Sequence, residues 1–194
     1  TQVAEFLLYL LEEREKLSAA ICRAKAGLDL PAGLDGEVSL NGKRQEVAKL
    51  LGNFRVTVLT NDLLIVNELM YKPNITLYII GGLVRRDSDS YIVTGEDAIQ
   101  FLKKYRVSKL FLGTSTVDVK EGLMIFNYGD NFTKRAFIDA ADRVVCLADS
   151  SKFDRTAFTK VARLNEVDTF ITDSGLSQEV IRRYEGLGRE IIVA

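Results

Sequence analysis

The chain has 194 residues, 47% of them hydrophobic, and a formal net charge of −1 from 26 Lys and Arg against 27 Asp and Glu. That balance fits one globular domain able to bury a core without disulfide or metal staples, and its scattered cations give no footprint for nucleic acid. Histidine is absent, which removes Ser-His-Asp and Cys-His catalysis and the commonest zinc ligand.

The two cysteines, Cys22 and Cys146, read as buried reduced thiols of an intracellular, cytoplasmic protein. No apolar run approaches the roughly 18 residues of a membrane span. The acid-rich start lacks the basic region of a signal peptide.

Residues 3–27 read as one amphipathic helix, with Phe6, Leu7, Leu10, Leu17 and Ile21 at three- and four-residue steps. "GLDLPAGLDG" breaks it with glycines and a proline. Residues 1–30 are therefore expected to form an N-terminal helix and linker region, and residues 31–194 an α/β domain. From there strand and helix alternate: "EVSL" then "KRQEVAKLL", "RVTVLT" then "DLLIVNELM", and "ITLYII" then the polar run "GGLVRRDSDSYIV" and the helix "GEDAIQFLKKY". "SKLFLGT" and "GLMIF" precede the helix "NFTKRAFIDAA". "RVVCLAD" is followed by a polar loop, "VDTFITD", the helix "SQEVIRRYE" and "REIIVA". Short strands that are apolar throughout, separated by helices, predict an α/β fold with a mostly parallel sheet flanked by helices.

In open parallel sheets ligands bind outside the carboxyl ends of the strands. The residues expected there are Asn41, Gly42 and Lys43; Thr60, Asn61 and Asp62; Gly81 and Gly82; Gly113, Thr114 and Ser115; and Asp149 and Lys152. They are poor in catalytic bases and rich in small residues, hydroxyls and amides, which let backbone N–H groups approach and donate to ligand oxygens. With Lys43 and Lys152 they suit a small polyhydroxy anion. Each has a plainer role beside that one. Thr60 or Asn61 reads as the N-cap of the next helix, Gly81-Gly82 as a turn, Thr94 with Asp97 as a capping box, and "VRRDSDS" as a solvated loop or a lid. "DSSKFD" (Asp149 to Asp154) is a polar turn or an anion site, with Phe153 as an apolar anchor that directs the lysine.

Taken in order, these pieces resemble the effector-binding domain of DeoR-type transcriptional repressors. The likeness rests on Thr60-Asn61-Asp62 before "LLIVNELM", Gly81-Gly82, Gly95 before "EDAIQFL", "FLGTSTVDVKEGLM", Lys134-Arg135-Ala136, and Asp149 to Asp154. It implies a fold similar to the ribose-5-phosphate isomerase group and an effector that is a phosphorylated sugar or related metabolite. It also implies an effector pocket that includes Lys134 and Lys152. Operator DNA would be bound only by a winged helix-turn-helix preceding this chain, and the protein would be a homo-oligomer with no membrane contact. No cofactor, metal or catalytic residue is expected.

The likeness is incomplete in four places, one of them "GTSTVD", which lacks the Asp-Gly of the family's "GADGID". "LNGKR" stands where the family has an Asp-x-Gly-Thr-Thr phosphate loop, so Lys43 is expected to supply charge in its stead. Gly129-Asp130 replaces an acidic pair. Asp154 replaces a glycine and is expected to set an extra negative charge near the anion. Two other functions remain in view, a sugar-phosphate isomerase-like enzyme and an oligomerisation module with an impaired pocket. The isomerase needs a general base where this chain has Ser115 and Thr116.

Overall fold

The computed structural model describes residues 5–9, 55–87 and 90–193. Seven strands form one parallel sheet: β1 (Glu5–Tyr9), β2 (Val56–Thr60), β3 (Ile75–Ile79), β6 (Lys109–Gly113), β9 (Val144–Leu147), β11 (Thr169–Thr172) and β12 (Glu190–Val193). Their spatial order is β3-β2-β1-β6-β9-β11-β12, and every pairing is parallel. Chain order runs outward in one direction from β1 to β3 and in the other from β6 to β12. The topological switch point therefore lies between β1 and β6.

Among the described residues four helices connect the strands: α1 (Leu63–Leu69), α2 (Glu96–Leu102), α3 (Asn131–Ala140) and α4 (Gln178–Glu185). The strands joined by α1 step in the opposite direction to those joined by α3 and α4, so the right-handed crossover rule assigns α1 to one face and α3 and α4 to the other. The described residues also form two small antiparallel units. One is the hairpin β4 (Leu83–Asp87) and β5 (Ser90–Thr94). The other is a three-stranded sheet ordered β10 (Thr159–Ala162), β8 (Gly122–Ile125), β7 (Thr116–Asp118). Among the described residues no helix is long and apolar enough to cross a membrane.

Strands β2, β6, β9 and β11 are buried almost end to end, as expected for a parallel sheet covered on both faces. Their side chains join Leu102, Phe137, Ile181 and Tyr184 in one core.

Three expectations are corrected here. Residues 5–9 are not helical: "EFLLY" is a strand between β2 and β6, in register Phe6 with Val58 and Phe6 with Lys109. A run apolar at nearly every position satisfies a helical period by accident, and pairing on both sides decides for the strand. The rest of the expected helix over 3–27, including Leu10, Leu17, Ile21 and Cys22, lies outside the described residues, as do "EVSL" and "KRQEVAKLL". "VRRDSDS" is mostly hairpin rather than loop, and the polar stretch after residue 154 contains β10.

Candidate functional site

The carboxyl ends of β2, β6 and β9 lie along one edge of the sheet, on both sides of the switch point. At the end of β2, Thr60 and Asn61 are fully buried and Asp62 nearly so. Thr60 Oγ1 accepts from Asp62 N at 3.1 Å. Asp62, rather than Thr60 or Asn61, caps α1, its Oδ1 accepting from Leu64 N at 2.8 Å. Asn61 Nδ2 donates to Val93 O at 2.8 Å, while its Oδ1 has no partner among the described residues. Gly81 and Gly82 follow β3, beyond β2, and are exposed. Gly82 has φ of +145°, and a Cβ there would meet Thr94 O at 2.9 Å, so a side chain would push the hairpin away. Asn41, Gly42 and Lys43 lie outside the described residues.

The end of β6 supplies Gly113, Thr114 and Ser115. Thr114 turns its hydroxyl inward, within 3.0 Å of Thr116 O and 2.9 Å of Met124 O, where it fixes the start of the β7–β8 hairpin. Half-buried Ser115 donates its N–H to Met124 O. Gly113 O accepts from Lys134 Nζ at 2.6 Å. Lys134, on the first turn of α3, is completely buried. Burial pushes its ammonium down to about 7, against the pull of Asp130, and Lys152 lowers it further. Cys146, in β9, also feels both lysines, but burial pushes its thiol up to about 12 and keeps it protonated.

The turn after β9 is ordered by its first residue. Asp149 Oδ1 accepts from Ser151 N at 2.9 Å and from the Ser151 hydroxyl, and its Oδ2 stands 3.7 Å from Lys152 Nζ. The side chains of Lys152 and Asp149 are only 12% and 16% exposed, so this is no surface lysine. Phe153 is buried behind it, edge-to-face against Phe170 and Tyr184 with ring centroids 5.9 and 5.3 Å away. Asp154 turns away from the lysines toward α4. Its carboxylate pairs with Arg183 and accepts from Tyr184 Oη at 3.4 Å. The expected extra negative charge is thus met by a local cation.

Asp154 also has φ of +54°, a left-handed conformation natural to glycine. Asp154→Gly removes a backbone cost of about 1 kcal/mol and an exposed ion pair worth at most about 1 kcal/mol. The expected thermal midpoint lies within roughly 4 °C of the parent in a differential scanning experiment. A larger fall would show that the Arg183 contact holds the turn.

The structure brings in contacts that the sequence pattern did not single out. Arg85 reaches from the hairpin to Asn127 Oδ1 and Asp130 Oδ1, both at 2.9 Å. A Cβ on Gly129 would lie 2.7 Å from Arg85 Nη1, so the glycine of Gly129-Asp130 makes room for that arginine. Thr94 does not form a capping box: Gly95 is the N-cap of α2 and has no side-chain cap. Thr94 Oγ1 instead hydrogen-bonds Thr133 Oγ1 at 2.8 Å and ties the hairpin to α3. Asp173, after β11, accepts from Ser150 N at 2.8 Å and Ser150 Oγ at 2.9 Å. Its signal was legible, since "ITDSG" repeats the strand-then-Asp-Ser order of "CLADSS". The cross-chain partners of Arg85 and Thr94 had none.

Two surface clefts lie elsewhere. One of about 690 Å³ is bordered by Lys120, Glu121, Lys160 and Arg163, and one of about 500 Å³ runs between α2 and α3. Neither is lined by a strand-end residue, and the first has its Lys160 already paired with Glu121. The strand-end cluster differs from both in having charged groups withdrawn from water, where they act more strongly on a ligand.

The described strand ends of this doubly wound α/β domain bring together two largely buried lysines, Lys134 and Lys152. Comparison with known proteins gives the family. The model of the DeoR C terminal sensor domain matches residues 44–174, and the chain belongs to that family. It is 34% identical over 77% of its length to the transcriptional repressor AccR of Agrobacterium fabrum. It is 32% identical over 77% to the HTH-type transcriptional repressor GlcR of Bacillus subtilis, and 29% over 84% to the glycerol-3-phosphate regulon repressor of Escherichia coli. The chain covers 58%, 57% and 62% of the lengths of these relatives. It is a sensor domain of the DeoR type, and its relatives are transcriptional regulators.

Proposed function

We propose that this domain binds a phosphorylated sugar or related phosphorylated metabolite at the carboxyl ends of β2, β6 and β9. In the longer protein, that binding would modulate operator recognition by an N-terminal helix-turn-helix. The observation that carries this reading is the convergence of Lys134 and Lys152, both largely withdrawn from solvent, at the ends of two adjacent strands. Ammonium groups in such a setting make short, charge-assisted bonds to phosphoryl oxygens. Asn61, whose buried Oδ1 has no hydrogen-bond partner among the described residues, and Ser115 supply polar atoms for sugar hydroxyls. The name of one relative, a glycerol-3-phosphate regulon repressor, supports the same ligand class.

The isomerase reading is weaker. A base is needed near a carbon-bound proton, yet Asp118, the carboxylate nearest in sequence, accepts from Lys120 N and Glu121 N in the β7–β8 turn. In the proposed role the domain is cytoplasmic and oligomeric. Effector binding then shifts subunit or domain geometry only as far as its affinity differs between the two states.

The test is a thermal-shift series with glycerol 3-phosphate and fructose phosphates, using glycerol and fructose as controls. A ligand at about 100 times its Kd adds roughly 2.7 kcal/mol to the native state. The expected result is a rise in midpoint confined to the phosphorylated compounds and lost in Lys152→Ala. Equal shifts with the unphosphorylated controls, or none at millimolar phosphate ester, would overturn the proposal.

A further inference from the structure

Asn61 is the first residue after β2, and it is fully buried. The register of the sheet says which way it faces. Leu59 is level with Leu7 of β1, which is level with Leu110 of β6, and Leu59 and Leu110 share one core with Phe137 of α3. Successive residues of a strand face opposite sides, so Asn61, two beyond Leu59, continues the row that faces α3. The hairpin agrees. Val93 O accepts from Asn61 Nδ2 at 2.8 Å, and the next residue, Thr94, hydrogen-bonds Thr133 of α3 at 2.8 Å. Thr133 is followed by Lys134, which is bonded to Gly113 O at the end of β6. Asn61 and Gly113 thus mark two ends of one stretch of the sheet edge, two strand intervals or roughly 10 Å apart, with the end of β1 between them.

The two ends differ in what they can bind. At β6 and β9 the lysines present N–H donors, which suit phosphoryl oxygens. At β2 the reverse holds. Val93 O is an acceptor, so the Asn61 amide turns its Nδ2 toward it and its Oδ1 away; the flipped amide would set two acceptors face to face. Oδ1 is left buried, with no hydrogen-bond partner among the described residues. An amide oxygen only accepts. It repels a phosphoryl oxygen and calls for an O–H. An unmet buried acceptor is costly, so a ligand that supplies the donor is favoured by roughly tenfold to a hundredfold over one that does not.

We infer that Asn61 is a specificity-determining residue whose Oδ1 accepts a hydrogen bond from a ligand hydroxyl. The ligand then lies along the sheet edge, with its phosphoryl group at β6 and β9 and its hydroxyl-bearing end at β2. This rests on the effector reading above and deepens it: the ligand class narrows to phosphate esters of polyols and sugars, and an alkyl phosphate fills only one end of the site. Because Asn61 is fully buried, the β4–β5 hairpin bonded to it must yield for the hydroxyl to enter.

The experiment is calorimetric titration of the domain with glycerol 3-phosphate, fructose 6-phosphate, n-propyl phosphate and inorganic phosphate. n-Propyl phosphate has the carbon chain of glycerol 3-phosphate and none of its hydroxyls. The better of the two hydroxylated esters is expected to bind at least about tenfold tighter than n-propyl phosphate, and Asn61→Ala should bring the two within about threefold. Where that variant does not fold, the side-chain amide pair of Asn61 in a 15N–1H spectrum of the parent domain gives the answer. It should shift with the hydroxylated ester and stay in place with n-propyl phosphate. n-Propyl or inorganic phosphate binding as tightly as the better hydroxylated ester overturns this inference and leaves the effector reading standing. So does a preference that survives in Asn61→Ala, or an Asn61 amide that does not distinguish the two compounds. Failure of all four to bind at millimolar concentration overturns both.

Discussion

Phe153→Ala is expected to lower the stability of the domain by about 3–5 kcal/mol, the range for deleting a buried phenylalanine side chain. Three rings meet here: Phe153, Phe170 from β11 and Tyr184 from α4, with centroids 5.3 to 6.0 Å apart and all edge-to-face. Such pairs add roughly 0.5–1.5 kcal/mol each beyond the area they bury. The backbone of Phe153 also bridges to Val117 of β7, a pairing that alanine retains, so the loss falls on the packing of the turn after β9 against the core. Urea denaturation would show the midpoint falling. The turn that presents Lys152 would loosen, and the response to phosphorylated ligands should weaken even where the variant is still folded. Phe153→Leu, which retains most of the volume, is expected to recover more than half of the loss. A fall below about 1 kcal/mol for the alanine variant would show that the ring is not holding the turn.

Lys134→Met is expected to change how stability depends on pH. The lysine titrates at about 7 in the folded domain and at its ordinary 10.5 once exposed. Between those values the unfolded chain carries a proton that the folded chain has released. The stability of the parent domain therefore rises with pH across that window, by at most about 1.4 kcal/mol per pH unit. Below the window both states are protonated and the full cost of burying the ammonium is felt. Above it neither is, and the cost is gone. Methionine fills similar space with no charge, so the difference between parent and variant should narrow or reverse as pH is raised from about 7 toward 9.5. The variant also leaves Gly113 O without its lysine donor, a constant penalty of roughly 1–3 kcal/mol that shifts the offset and not the slope. Urea midpoints for both proteins at several pH values measure the slope, and parallel curves would sink the prediction.

Much of the fold was legible because most strands are apolar and most helices amphipathic, with glycine or polar residues marking the joins. "RVTVLT", "SKLFLGT" and "VDTFITD" became β2, β6 and β11 near the expected bounds. "EFLLY" was not legible. A strand apolar at four of its five positions shows no period of its own, and what identifies it is pairing on both sides with β2 and β6. The candidate site was legible as a set of strand ends but not as a network. Asp149 could be found by its place after β9, whereas Asp130 matters because Arg85 and Lys134 both act on it. Asp154 misled for the same reason: its charge is local, but its partner Arg183 lies on the next helix. Thr114 shows the reverse, a residue of the right type in the right loop whose hydroxyl serves its own turn.

The position of β1 bears on how the chain acquires its structure. The earliest of the described strands is flanked by β2 and β6, so neither of its edges is paired by a local hairpin. Each pairing must close a long loop, and that entropy is lost before any contact rewards it. A parallel sheet assembled from the middle outward in this way has a high contact order and folds slowly. Until β6 is available, residues 5–9 would be an unpaired apolar strand, the kind of segment that recruits a neighbouring chain. Refolding yield is accordingly expected to fall as protein concentration rises, even where the finished domain is stable.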